Sequence, residues 1–272
     1  MAIQIKTLEE LKTMRRAGLL VGQTLELLRQ NVKVGARTDA LDAIAAANIK
    51  RGGGTSNFKG YGHPRFPATI CISVNDEIVH GIPGDRIIED GDLVSIDCGA
   101  IIDGWHGDAA FSVGAGSVDA EDQKLMDTCE ESMWRGIAAG KMGGRLSDIG
   151  HAIAEYINSQ GRYGILQEYS GHGIGTEMHQ EPHVFNFGKG GNGPKLIAGM
   201  ALAIEPMITR GSPKTHVMDD EWTVVSIDKS RGAHFEHSYA LLPDGKPFVL
   251  TAIDGGRAKL APLGIEISEL LS

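Results

Sequence analysis

Asp92-Leu-Val-Ser-Ile-Asp97-Cys-Gly-Ala-Ile-Ile-Asp103-Gly104-Trp-His-Gly-Asp108-Ala-Ala-Phe-Ser-Val113 consists of two apolar runs around a single Asp-Gly turn. Asp-Gly is a hairpin signal because a tight turn needs left-handed backbone that these two residues adopt at low cost. A turn centred there sets position 97 opposite 110. Asp108 shares the parity of 110, so it projects from the same sheet face as Asp97. Such diagonal neighbours lie about 7–8 Å apart at Cα. Two carboxylates held that close repel unless a cation lies between them. On the hairpin alone, a pair of turn-flanking acids facing solvent is the favoured reading.

Outward from the hairpin, the chain repeats itself. Thr7 and Glu10 have the spacing of a capping box, and apolar residues at three- and four-residue steps predict a helix over roughly 8–30. A second helix opens at Thr38, with Leu41, Ala45 and Ile49 on one face. Residues 69–74 read as a strand, and further helices are expected over 122–137 and 147–157. Val34-Gly35 through Leu41, Ala45 and Ile49 aligns with Met142-Gly143 through Ile149, Ile153 and Ile157, each pair 108 positions apart. The same offset carries Gly91 onto Gly199 and Asp97 onto Glu205. Any two amphipathic helix pairs can be aligned in this way; if the repeat is real, the expected fold is α+β, one domain over 1–272 made of two similar halves, about 1–115 and 117–272. The site would form where the halves meet.

Composition narrows the class. The 272 residues carry 26 Lys and Arg against 35 Asp and Glu, a formal charge of −9. No basic run exceeds Arg15-Arg16, so nucleic-acid binding is not expected. Three cysteines form no disulfide framework and suit reducing cytoplasm. The first twenty residues lack an uninterrupted apolar core, and no run approaches the length of a membrane span, so neither a signal peptide nor a membrane partner is expected. Glycine is abundant, 37 residues, which implies many tight turns. The glycine-rich stretches at 171–175 and 188–194 lack phosphate-loop and dinucleotide spacing, and no zincin, nucleophile-elbow or cysteine-protease signature occurs.

Glu205 ends the apolar run Gly199-Met-Ala-Leu-Ala-Ile-Glu205-Pro206, and Glu236 sits in His234-Phe235-Glu236-His237-Ser-Tyr-Ala-Leu-Leu. A buried acid without a partner costs several kcal/mol. Four acids at apolar strand positions therefore point to a shared cation. With His172, in Ser170-Gly-His172-Gly-Ile-Gly175, the set is a sensible inventory for two divalent ions about 3.5–4 Å apart.

The ordered motifs Cys71-Ile-Ser-Val-Asn-Asp-Glu-Ile-Val-His80-Gly-Ile-Pro83, Ser95-Ile-Asp97-Cys-Gly, Gly107-Asp108-Ala-Ala-Phe, Gly171-His172-Gly-Ile-Gly175, Met178-His179-Gln-Glu-Pro182, Ala203-Ile-Glu205-Pro206 and Trp222 to Glu236-His237 resemble the methionine aminopeptidases of the bacterial, type I kind. The resemblance implies the pita-bread fold of two pseudo-symmetric halves. It implies a hydrolase that removes the initiator methionine from nascent polypeptides when the second residue is small and uncharged. Asp97, Asp108, His172, Glu205 and Glu236 match the family's metal ligands. Asp97 and Glu236 would serve both ions, Asp108 one, and His172 with Glu205 the other. The ions would be Co, Mn, Fe(II) or Zn. Glu205 would shuttle a proton, His179 would donate to the oxyanion, and His80 would bind beside the scissile nitrogen.

Tyr61, Phe66, Cys71, Met178 and Trp222 would line the methionine pocket. Met178 stands where many relatives have an aromatic, and Tyr61–Pro67 carries one extra residue. His237 could support Glu236, while His63, His106, His151, His183, His216 and His234 carry no role in this reading. A monomer is also expected, acting on nascent N-termini at the ribosome or away from it; ribosome contact has no signature in the sequence. Two alternatives share the fold: an Xaa-Pro dipeptidase or aminopeptidase, and a binding module without turnover. The first usually carries a separate N-terminal domain, whereas the first site motif here begins at Cys71. The second typically loses ligands, and all five positions hold acceptable ones.

Overall fold

The computed structural model describes residues 2–272. Its N-terminal part holds α1 (Leu8–Asn31), α2 (Thr38–Arg51), β1 (Thr55–Ser56), β2 (Cys71–Val74) and β3 (Glu77–Val79). The hairpin follows as β4 (Leu93–Ile102) and β5 (Trp105–Gly114). After α3 (Ala120–Ala139) and α4 (Ser147–Gln160) come β6 (Gly164–Ile165), β7 (Gly171–Gly173), β8 (Gln180–Val184), β9 (Ala201–Ile204) and β10 (Met207–Thr209). Then β11 (Thr215–Val217), β12 (Val224–Ser226), β13 (Gly232–His234), β14 (Glu236–Leu241) and β15 (Pro247–Val249) lead to a short α5 (Arg257–Leu260).

Helix α1 begins with the Thr7–Glu10 capping box, which satisfies two of the backbone donors that a helix start leaves free. Leu11, Met14, Leu25 and Leu28 form its buried stripe. The helix lies on the outer face of the hairpin, and glycines permit the close approach. A Cβ on Gly107 would meet the backbone nitrogen of Gly18 at 2.8 Å, and one on Gly18 would meet the Leu250 carbonyl oxygen at 2.3 Å. In the C-terminal half α3 and α4 cover the sheet in the same manner, with Leu125, Cys129, Ile149 and Ile153 buried. The result is a mixed fold of two pseudo-symmetric halves sharing one curled sheet, ordered β1-β4-β5-β14-β9-β7-β8 along its main path.

One strand run breaks where the sequence suggested continuity: the stretch read from His234 is split at Phe235 between β13 and β14. The apolar run from Ala201 ends before Glu205-Pro206, as its sequence suggested, and β10 follows. Proline has no N–H to donate to a ladder. Strands β9 and β14 pair in the large sheet, whereas β10 and β13 pair in a smaller one with β6. Both runs thus change sheets at one level of the fold. The acids lie at that level.

Candidate active site

The register of the sheet places the acids. Asp97 pairs with Ala110, as the Asp103-Gly104 turn requires, and Gly99 pairs with Asp108. On the other side of β5, Glu236 pairs with the same Ala110. His237 pairs with Ile204, and continuing that register one step brings Glu205 beside Glu236. His172 on β7 pairs with Ala203, which has the parity of Glu205. Strands β4, β5, β7 and β14, with the residue just past β9, therefore turn these five side chains to one concave face.

They line a cavity of about 100 Å³, together with His80, His179, Tyr61, Phe66, Cys71, Met178 and Trp222. Every residue assigned to the site borders it; His237 does not, because its Nδ1 lies 2.8 Å from Thr251 Oγ1 and its ring packs on Trp134 instead of supporting Glu236. Asp108, His172 and Glu236 are 3, 5 and 2 % exposed. Asp97 Oδ1, Asp108 Oδ1 and Glu236 Oε1 are buried without a hydrogen-bond partner among the described residues. No Lys or Arg pairs with any of the four acids there; Glu205 meets only His172 Nε2 at 3.4 Å and His234 Nε2 at 3.7 Å. Burial pushes the Asp97 carboxyl up to about 7. It raises Asp108 well above the carboxylate range, helped by the charges of Glu236 and Asp97, and does the same to Glu205 and Glu236. Burial thus favours the protonated form of these acids, and a divalent cation would displace the protons.

The donor set fits that cation. Carboxylate oxygens and imidazole nitrogens suit first-row divalent metals. Two groups of donor atoms lie within 4.8 Å of one another, Asp108–His172–Glu236 and Glu205–His234–Glu236. They share Glu236.

The histidines at the mouth have distinct supports. His179 Nδ1 lies 2.7 Å from the Tyr61 hydroxyl, and its ring packs edge-on to His172 at 4.4 Å. Burial lowers its pKa, with a further push from His183. His80 has φ of +60°, backbone that costs a non-glycine residue of order 1–3 kcal/mol and tends to persist at functional sites. Its ring stands edge-on to Tyr169 and Trp222, and burial lowers its pKa to about 4. Both imidazoles are neutral at pH 7.

Beside the acids, Phe58, Phe66, Ala68, Cys71 and Met178 form an apolar cluster separate from the main core, with Ile82 and Trp222 packed against it. The loop over 61–67 is tied down by Trp222, whose Nε1–H donates to the Pro64 carbonyl at 3.1 Å. Cys71 faces Asp97 across β2 and β4, so the apolar floor adjoins the acids directly.

Phe58, Val79, Tyr169, Met207 and His234 also line the cavity, and the sequence reading gave them no part. For His234 a signal existed, since it has the parity of Glu236 two residues on. The others reach the cavity from loops and strands whose positions only the folded chain defines.

The likeness to known proteins extends across nearly the whole chain. Residues 12–242 match the profile of metallopeptidase family M24. A methionine aminopeptidase of Clostridium perfringens is 46 % identical over 252 residues, 92 % of this chain and 99 % of that protein. Methionine aminopeptidase 1 of Bacillus subtilis is 44 % identical over 240 residues, 88 % of this chain and 96 % of that protein. The crystal structure of methionine aminopeptidase from Thermotoga maritima superposes with a TM-score of 0.89 at 36 % identity, covering 92 % of this chain and 100 % of that one. With acids unpartnered at the sheet's centre and likeness of that extent, this chain belongs to metallopeptidase family M24, among its methionine aminopeptidases of the bacterial, type I kind.

Proposed function

We propose that this protein hydrolyses the bond after an N-terminal methionine, using two divalent cations held by Asp97, Asp108, His172, Glu205 and Glu236. The observation that carries the reading is a group of buried carboxylates with unpartnered oxygens beside a closed apolar cluster. When bound there, divalent cations supply Lewis acidity and a water acidic enough to attack near neutral pH.

The chain's own groups do the rest. The apolar side chains of Tyr61, Phe66, Cys71, Met178 and Trp222 hold the methionine side chain, and the flexible Met178 thioether adapts to a substrate of the same chemistry. His80 hydrogen-bonds the backbone beside the scissile nitrogen. The Tyr61 hydroxyl donates to His179 Nδ1, which keeps the ring proton on Nε2. Nε2–H then donates to the oxygen that gains charge in the tetrahedral transition state. Glu205 moves a proton to the leaving amine. The crowded cavity admits a small second residue.

The ions would be Co, Mn, Fe(II) or Zn, and availability selects among them. The substrates would be nascent polypeptides met in the cytoplasm near the ribosome, by a monomer whose single catalytic domain spans 1–272 in halves of about 1–115 and 117–272. No helix among the described residues is long and apolar enough to cross a membrane. The test is to strip the protein with chelator, reload each metal separately, and follow Met-Ala-Ser and Met-Lys-Ser peptides by mass spectrometry. Metal-dependent loss of methionine from the first alone is the expected result. Release from neither, with cleavage of an Xaa-Pro peptide instead, would replace this reading with the dipeptidase one. Absence of any metal binding would leave a binding module.

A further inference from the structure

His234 is 2 % exposed, and its Nε2 is buried without a hydrogen-bond partner among the described residues. Leaving a buried polar nitrogen unmet costs about 1–3 kcal/mol. Its backbone is nonetheless held firmly. The His234 N–H donates to Ser112 Oγ at 2.9 Å, and Ser112 Oγ donates to the His234 carbonyl at 2.9 Å. Ser112 Oγ in turn lies 2.7 Å from Ser95 Oγ. This buried clamp, with the Met207 pairing on β10, aims the imidazole into the cavity and away from any other use.

The two oxygens of Glu205 are flanked by two imidazoles, His172 Nε2 at 3.4 Å from Oε1 and His234 Nε2 at 3.7 Å from Oε2. Both separations exceed those of good N–H···O hydrogen bonds. They are close to the roughly 3–3.5 Å between two donors that each sit about 2.1 Å from one ion. We propose that His234 Nε2 is a direct nitrogen donor to the ion held by Glu205 and Glu236. His172 and His234 would then flank Glu205 on the same ion, and Glu236 is common to both donor groups. The added nitrogen favours borderline ions such as Fe(II), Co and Zn over Mn, whose preference is for oxygen.

This proposal rests on the two-ion reading above, and one experiment separates the two. Protein labelled with ¹⁵N-histidine is loaded with ¹¹³Cd(II), bound metal is counted, and one-bond ¹¹³Cd–¹⁵N couplings are recorded. The expected result is two ions per chain and two coupled histidines. His234→Gln should remove one coupling and loosen one ion by about 10–100-fold, by analogy with other supporting residues at metal sites. Two ions with a single coupled histidine in the parent protein overturn the role of His234 and leave the two-ion reading standing. One ion or none per chain removes that reading and the proposal with it. A single coupling in the parent spectrum refutes the proposal whether or not the variant folds, and the coupling lost in His234→Gln identifies the second ring when two are seen.

Discussion

Asp122 and Asp108 are almost equally buried, 0 and 3 % exposed, yet they are in opposite company. Asp122 opens α3, where its carboxylate takes Arg210 Nη1 at 2.8 Å on one oxygen and Arg231 Nη1 on the other. Arg210 also reaches Asp119, and Arg231 donates to the Gly91 carbonyl. The chain provides every positive charge that this acid needs. Asp108 has Asp97, Glu205 and Glu236 for neighbours and no cationic side chain among the described residues. Burying a charge without compensation is expensive enough that a chain seldom does it four times in one place. The first arrangement is finished by folding. The second is finished by something the chain does not encode.

That contrast can be broken by substitution. Asp97→Ala should lower methionine release more than about 100-fold while leaving the circular dichroism spectrum unchanged, because a ligand matters more than the supporting groups that set the scale. A variant that processes Met-Ala-Ser at the parental rate would defeat the assignment. His179→Ala should cost about 10²–10³ in kcat, the usual price of one oxyanion donor, with metal content unchanged. Metal lost from that variant would make His179 a ligand instead.

Asp122→Ala should do the reverse. Removing one partner from a buried pair costs about 3–5 kcal/mol when the other is stranded. Arg210 and Arg231 keep side-chain exposures of 34 and 33 %, so water rescues them and a loss of about 2 kcal/mol is expected. Urea unfolding should show that loss, and kcat should stay within twofold of the parent. An equal fall in activity would mean that the ion-pair cluster also shapes the cavity.

The smallest effect sharpens the comparison through pH. A carboxyl whose pKa is raised by folding binds its proton more tightly folded than unfolded. For Asp97 the folded value is about 7, against an unfolded value near 3.9. Between those limits Asp97 holds more protons in the folded state, so its contribution to the stability of the metal-stripped protein should grow as pH falls from 7 toward 4, against the opposite contribution of buried imidazoles such as His80. Metal-loaded protein should lose stability over the same window, because protons compete with the ions. Parallel urea midpoints for the two forms would contradict the picture of acids waiting for a cation.

Much of this was legible before folding was considered. The Asp103-Gly104 turn defines the pairing of Asp97 with Ala110, since hairpin register follows from turn position. Helix boundaries near Thr7 and Thr38 followed from capping and apolar spacing, and Glu205 followed from the internal repeat. What stayed hidden depends on contacts far apart in sequence. The break at Phe235 exists because β13 and β14 pair with different sheets, which no local pattern records. His234 carried no role in the sequence reading, and its unpartnered nitrogen inside the cavity is what distinguishes it. Tyr169 and Met207 reach the cavity from separate segments and carry no motif.

The pairing of Glu236 with Ala110 has one more consequence. It closes a loop that contains α3, α4 and every strand from β6 to β13. During synthesis the hairpin bearing Asp97 and Asp108 is made long before β14 exists to sit beside it. A growing chain therefore carries half of its acids with no means of gathering the rest. On the proposed ligand set, metal capture would wait for the last central strand, and an ion bound with full affinity would certify that the chain has been made through Glu236 and correctly closed.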